Sequence, residues 1–371
     1  MRQFSFDDLL TASAGLGNAV VDPSAWPSVM EDMSRAKRAR GAVLLQSDVR
    51  TPDVPRTPAV SEAIDAYFRE GWHSRDVRAE KGVPLVQSGL SVVTDQDIVS
   101  PDEMRRDPAY NECYIPTGCQ WFAAVGFWAG TALWGLSFQR APKQGPFEPE
   151  DKRVLAQISR RLSEAATLSK VVGRSVLAAT SNALNLVGQP AVIIDRLGFV
   201  LDTNAVAEEV FDDEIRVHNR RLCVADRRAK AELERFVDAI RVGADTDPLP
   251  TDPIVVRRQI KPPVLIRILP IEAAARSPFL GARALLMLLD LAERAAPHCG
   301  LLVRVFGLTA AEAKLASLIG AGETIEHAAE RLGISSLTAR GQLKAVFSKT
   351  STHRQGELVA LLSRLRSFPT G

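Results

Sequence analysis

Apolar positions along the chain fall into three zones of different rhythm. In the first, PSAWPSVMEDMSRAKRA (Pro23–Ala39) repeats its apolar residues at intervals of three and four, so it predicts an amphipathic helix, with proline tolerated in the first turn. GAVLLQS (Gly41–Ser47) is a continuous apolar run and reads as a buried strand. A helix follows over Pro58 to Arg69, then a strand within LSVVTDQDIV (Leu90–Val99). QWFAAVGFW and TALWGLSFQ, broken at Ala129-Gly130, read as a hairpin. Residues 1–150 are therefore expected to form an antiparallel sheet flanked by helices.

Residues 148–186 read as mostly helical, with Gly173 as a break. Positions 155, 158, 162, 165, 169, 172 and 176 step by three and four and form a rough heptad seam. Two readings stand side by side for 151–186: a helix packed on its own domain, and a dimer helix joining two sensory domains. In the second zone, 187–292, QPAVIIDRLGFVLDTNAVAEEVF predicts a strand, a turn at Arg196–Gly198, a strand, and a helix after Asn204. Asp226 to Val242 is an amphipathic helix with an aspartate cap. DPIVVRR, PVLIRILPI and RALLMLLDL complete five strands, and LAERAAPHCG links to the tail.

The third zone, 301–371, is helical throughout. Thr309 caps a helix from Ala310, with Glu312 completing a capping box. Thr324 caps IEHAAERL, and Gly333 supplies the left-handed residue that stops it. Ser335 or Ser336 caps LTARGQLKAVFSKT, whose Leu337, Ala339, Leu343, Val346 and Phe347 are expected to face inward. A fourth helix, RQGELVALLSRL, follows His353. Two helices joined by a short turn with glycine, the second carrying exposed Arg340 and Lys344, make a helix-turn-helix, a shape that fits the major groove of DNA.

Composition sharpens this division. All five Trp and all three Tyr lie in the first 134 residues. The net charge is +2, yet residues 301–371 carry nine Lys/Arg against five Asp/Glu, so the basic excess sits where phosphate contact requires it. Four scattered cysteines form no CxxC pair, and the five His have no metal-ligand spacing, so no metal or cofactor is expected. No apolar run approaches the ~18 residues of a membrane span, and two aspartates in MRQFSFDDLL stand where a signal peptide places its apolar segment. A cytoplasmic protein without membrane contact is expected. The chain has no GxSxG, GxxxxGK[ST], HExxH or strand-linked GxGxxG, so no catalytic residue is assigned and an enzyme is not expected.

The run from Leu308 to Leu362 resembles the C-terminal domain of LuxR-type (GerE-like) transcriptional regulators. Its landmarks are Leu308-Thr309, Glu312, the AERLGIS of Ala329–Ser335, Thr338, Leu343, Lys349 and Glu357-Leu358-Val359. The resemblance implies double-stranded DNA as partner, with Arg340, Gly341 and Lys344 facing the groove. Ser335, Ser336, Thr338, Lys349 and Arg354 complete the expected DNA-binding set. The chain departs from the family at Ala339, where valine is usual, and at Gly341, where a larger residue is usual. The pattern D-x-x-G-x-V-x-x-x-N-x-x-A, filled by Asp195, Gly198, Val200, Asn204 and Ala207, looks like the opening of a PAS domain. Residues 1–150 look like a GAF domain or its relative, the autoinducer-binding domain. Tyr67, Trp72, Asp76, Tyr114 and Trp121 are the candidate ligand residues, with Arg78 as a polar fixer beside Asp76. The alternative for these aromatics is core packing. The extra middle domain departs from two-domain receptors, so an acyl-homoserine lactone is not expected.

The expectation is thus an α+β multidomain chain: GAF-like and PAS-like sensor domains followed by an all-α four-helix DNA-binding domain. It would act as a homodimeric transcription regulator modulated by a small-molecule effector, with RNA polymerase a candidate partner. The competing expectation is a ligand-independent DNA-binding regulator whose first two domains only dimerise or contact proteins.

Overall fold

The structure is a computed structural model that describes residues 6–48, 51–52, 54–242, 249, 252–271, 276–292 and 298–365. Residues 293–297, the middle of the expected linker, lie outside the described residues. The chain is mixed helix and sheet with a helical C-terminal region.

The first domain opens with α1 (Phe6–Ala12), α2 (Leu16–Val21) and α3 (Trp26–Ala36), then β1 (Gly41–Gln46). Next come α4 (Ser61–Arg69), α5 (Val77–Gln87), β2 (Val92–Thr94), α6 (Asp95–Ile98), α7 (Pro101–Arg106) and a π-helical turn over Ala109–Tyr114. The expected hairpin is β3 (Trp121–Ala129) and β4 (Ala132–Arg140), with Gly130 left-handed in its two-residue loop. The sheet is antiparallel, in the order β1-β4-β3-β2. Strand side chains alternate, so the two faces pack differently. Leu44, Val125, Phe127, Trp134, Leu136 and Phe138 face one core with α2, α3 and the long helix below. The opposite face lies under α4, α5 and the π-turn.

Residues 148–186 form α8 (Pro149–Ala156) and α9 (Ser159–Leu186). The break falls at residues 157–158; the expected break at Gly173 is absent, and Gly173 is buried in a continuous helix of 28 residues, about 42 Å long. The seam at Leu155, Ile158, Leu162 and Ala165 is buried in the core under the first sheet, and Ser169 is buried against Ser277, so these positions pack intramolecularly. The far half of α9, through Val176, Leu177 and Leu184, packs on the middle domain.

The middle domain runs β5 (Ala191–Asp195), β6 (Val200–Thr203), α10 (Ala205–Val210), β7 (Ile215–His218), β8 (Arg221–Val224), α11 (Arg227–Val242), β9 (Ile254–Val256), β10 (Val264–Pro270) and β11 (Ala282–Asp290). Five strands make one sheet, β6-β5-β11-β10-β9. Asn204 caps α10 and also accepts from the Ala191 amide, and Asp195 accepts from Leu197 and Phe199 around left-handed Gly198. The β7-β8 hairpin was not expected from the sequence. Its turn residues, Asn219 and Arg220, both take positive φ, and arginine there is no turn signal.

One side chain crosses between the two sheets. Phe279, from the segment before β11, inserts among Trp26, Phe127 and Trp134 with ring centroids 5.3, 6.1 and 5.0 Å away, each edge-on. The Ser169 and Ser277 hydroxyls pair beside it at 2.8 Å, both buried.

The tail holds α12 (Cys299–Phe306), α13 (Ala310–Gly320), α14 (Ile325–Leu332), α15 (Ser336–Thr350) and α16 (Gln355–Ser363) around one core. The first of these adds a helix before the expected four, with buried Leu302 joining the core.

Phe279 is 5% exposed, and removing its ring leaves a hole between three aromatics. Phe279→Ala is expected to cost about 3 kcal/mol, read as a lower urea midpoint. Leu289→Ala, at a side chain 53% exposed, is expected to change it by less than about 0.5 kcal/mol.

Candidate functional site

Two places in the chain combine exposure or hollow space with unusual side chains. The first lies over the upper face of the first sheet. Leu133, Gly135, Ser137 and Gln139 of β4 point up, as do Phe122, Ala124 and Gly126 of β3, which pair opposite them. Gly126 and Gly135 face each other across the ladder. A Cβ on Gly126 would stand 2.2 Å from Val86, so that glycine admits α5 close onto the sheet. A Cβ on Gly135 would meet nothing within 4 Å. One glycine lets the roof down and the other leaves a hollow. The result is a mostly apolar pocket of about 120 Å³ roofed by α4, α5 and the π-turn. A volume of this order takes a molecule of roughly one small ring.

The polar groups of the pocket are tied into two clusters. Asp76 caps α5 and accepts from the hydroxyls of Tyr67 at 2.8 Å and Tyr114 at 2.7 Å. Arg78 donates to Gln139 Oε1 at 3.2 Å, Asp95 Oδ1 at 3.2 Å and the carbonyls of Cys119 and Gln120 at 3.0 and 2.6 Å. Its guanidinium lies over the rings of Tyr114, Phe122 and Tyr110, and its buried Nε has no hydrogen-bond partner. Asp95, fully buried, accepts also from the Tyr110 hydroxyl at 2.5 Å and the Phe122 amide at 2.7 Å. Burial alone would lower the Arg78 pKa, but Asp95 together with Tyr110 and Tyr114 outweighs it and raises it, so the cation persists. Burial pushes the Tyr110 and Tyr114 hydroxyls well up, so both remain donors. Burial, reinforced by the Glu70 carboxylate, pushes the Cys113 thiol up to about 12. Cys113 therefore lines the pocket as a small apolar residue.

Of the five candidate ligand residues, Tyr67 and Tyr114 line the pocket and Asp76 joins their hydroxyls. Trp72 is buried in the neighbouring core, with its N–H on Glu70 at 3.1 Å and Arg75 over its ring. Trp121 borders a separate surface groove with Met104 and Pro146. Arg78 also lines the pocket. Asp95, Tyr110, Ser137 and Gln139 join the site without a sequence signal: an aspartate opening a short helix looks like a solvated first-turn acid, and strand polar residues look like an outer face.

The second place is the outward face of α15. Thr324 caps α14, left-handed Gly333 ends it, and Ser335 caps α15 by accepting from Thr338 N at 3.1 Å. Ser336, Thr338, Arg340, Gly341 and Lys344 are exposed, as is Arg354 before α16. Arg340 reaches Glu326 of α14 at 3.3 Å, with both side chains largely in solvent. Lys349 is committed elsewhere: its ammonium meets Glu312 at 2.7 Å and, with the Thr309 amide, holds that carboxylate below its usual range. Leu337 corrects the expected inward set. It is 81% exposed, because Ala339, Leu343 and Val346 define the buried face and position 337 lies across the helix from them. Among the described residues, no group of three or more His, Cys, Asp or Glu is placed to hold a metal ion, and no helix is long and apolar enough to cross a membrane.

No family model and no curated protein matches the chain. Solved structures do match at low similarity. The crystal structure of the phage VqmA-DPO complex is 15% identical, covering 54% of this chain and 93% of that chain at a TM-score of 0.20. The crystal structure of the E. coli DhaR(N)-DhaL complex is 14% identical, covering 78% and 91% at a TM-score of 0.23. At these TM-scores the likeness carries no weight for fold or activity.

Gly135→Val is expected to fill the hollow, raising stability by about 1 kcal/mol and abolishing the melting-temperature rise that benzene-saturated buffer gives the unaltered protein. Arg78→Met strands the buried Asp95 carboxylate and is expected to cost about 3–5 kcal/mol, measured by urea unfolding. Glu312 has a depressed folded pKa, so its contribution is present above the usual 4.5 and lost as pH falls through the lower folded value. Lys349→Met is expected to move the Glu312 titration up toward 4.5 in a carboxylate NMR titration and to reduce that acid-side loss.

Proposed function

We propose that the chain is a DNA-binding regulator of transcription, working as a homodimer in the cytoplasm and modulated by a small molecule held over Gly135. The outward face of α15 carries this reading. A short helix, a tight turn and a capped second helix hold Arg340 and Lys344 in solvent on a rigid core, as major-groove reading requires. Ser335, Ser336, Thr338 and Arg354 surround them and suit phosphate contact. Lys349 supports the core that presents this face. The LuxR-type reading of the tail belongs to the same proposal, as do the GAF-like and PAS-like readings of the first two domains. Asp195, Gly198 and Asn204 support the PAS-like reading by forming the turn and cap that their spacing implied.

The pocket favours ligand control over a purely structural first domain, since a core built only for packing would not leave Gly135 facing open space. Dimerisation draws support from Leu168, Val171 and Leu186, which are exposed on α9 and step along one side of it. Two copies would set a pair of α15 helices against half-sites about 34 Å apart. RNA polymerase is the further partner in this reading, and no catalytic step is assigned to the chain.

Selection of bound fragments from genomic DNA by the full-length protein tests this. A palindromic motif is expected. Arg340→Ala should relax base preference at one position per half-site, by about 1–3 kcal/mol. Arg354→Ala should weaken binding across sequences and lower its salt dependence by about one unit of slope per protomer. Failure of the unaltered protein to enrich any motif, with and without small-molecule extract, would sink the proposal.

A further inference from the structure

The buried residues Ala339, Leu343, Val346 and Thr350 fix the inward direction of α15. At about 100° per residue, the opposite direction falls on Leu337, Gly341, Lys344 and Ser348. Leu337 and Gly341 therefore share the outermost line of the helix. Leu337 is 81% exposed, and one turn on, Gly341 has nothing within 4 Å of the point where a Cβ would stand. In the free domain this leucine buries little apolar surface, and the glycine costs the helix roughly 1 kcal/mol against alanine. Neither choice serves the stability of the tail.

Both choices make sense against a base edge. Long helical side chains lean toward the helix N-terminus, so Leu337 leans to the end of α15 that enters the groove first. The major groove offers an apolar side chain one partner, the C5-methyl group of thymine. A helix with no side chain at position 341 can lie deeper, bringing Leu337 into contact with that methyl. We infer that Leu337 is a specificity-determining residue that reads a thymine methyl in each half-site, with Gly341 providing the close approach. This rests on the DNA-binding reading proposed above and adds the base class at one position.

The test uses the full-length protein and a duplex carrying its selected motif, with thymines replaced one at a time by uracil. That exchange removes the methyl and nothing else. One thymine per half-site is expected at which uracil weakens binding about three- to fourfold, the worth of one buried methyl. Leu337→Ala is expected to bind thymine and uracil duplexes equally, while Arg340→Ala keeps the uracil penalty. Because Leu337 is exposed, the variant should fold as the parent does. Gly341→Ala should raise the melting temperature yet weaken DNA binding severalfold. A motif with no uracil-sensitive position, or a penalty that survives in Leu337→Ala, overturns the inference and leaves DNA binding standing. Loss of self-association by Leu337→Ala, with thymine discrimination unchanged, assigns the residue to a protein interface and also overturns it. If the unaltered protein selects no motif, the DNA-binding reading fails and this inference fails with it.

Discussion

A guanidinium cannot leave water unless other groups replace its hydration, and the upper half of the first domain is arranged around that requirement. Arg78 finds its replacement in a carboxylate, two carbonyls, an amide side chain and three aromatic faces. Each comes from a different stretch of chain: α5 supplies the arginine, the start of α6 the carboxylate, the approach to β3 the carbonyls, β4 the glutamine, and the π-turn two of the rings. A packing contact between apolar groups tolerates sliding. These bonds fix direction as well as distance, so they hold α5 and the π-turn at one height above the sheet. The hollow beneath exists because its roof is pinned at its polar edge and Gly135 leaves the floor low.

The strand β4 belongs to two environments at once. Its odd-numbered residues look into the pocket, and its even-numbered residues, Trp134 among them, look into the core that receives Phe279 from the middle domain. Leu133 and Gly135 stand on either side of Trp134 in the chain. Pressure on the pocket floor therefore has a short mechanical route to the wedge between the domains. The α9 helix offers a second route, since its two halves are packed on different domains without an interruption.

Much of this was legible from residues alone. The capping box at Thr309 and Glu312, the stop at Gly333 and the strand rhythm of VLIRILP each encode a local choice that tertiary packing had no reason to override. The hidden parts share a different character. Arg78 and Asp95 are 17 positions apart, and nothing in spacing announces that two charges will be buried together. The heptad seam of α9 was visible, but an apolar stripe says only that a face is covered, and here the protein's own sheet covers it. The hairpin at Asn219 and Arg220 leaves no sequence signal because half of its left-handed backbone falls on an arginine, which rarely takes it. Apolar character alone points Leu337 inward, but the angle of about 200° between positions 337 and 339 on a helix puts it on the opposite side.

The hollow over Gly135 also bears on how long the molecule lasts. A hollow of about 120 Å³ leaves the side chains that line it short of packing partners. Any molecule that fits it, present at a hundredfold its dissociation constant, would add about 2.7 kcal/mol to the folded state. Proteases act on the unfolded fraction, which such a gain in stability lowers. Occupancy of a hollow in the fold and the lifetime of the chain against proteolysis are thus linked through one equilibrium, whatever molecule fits there.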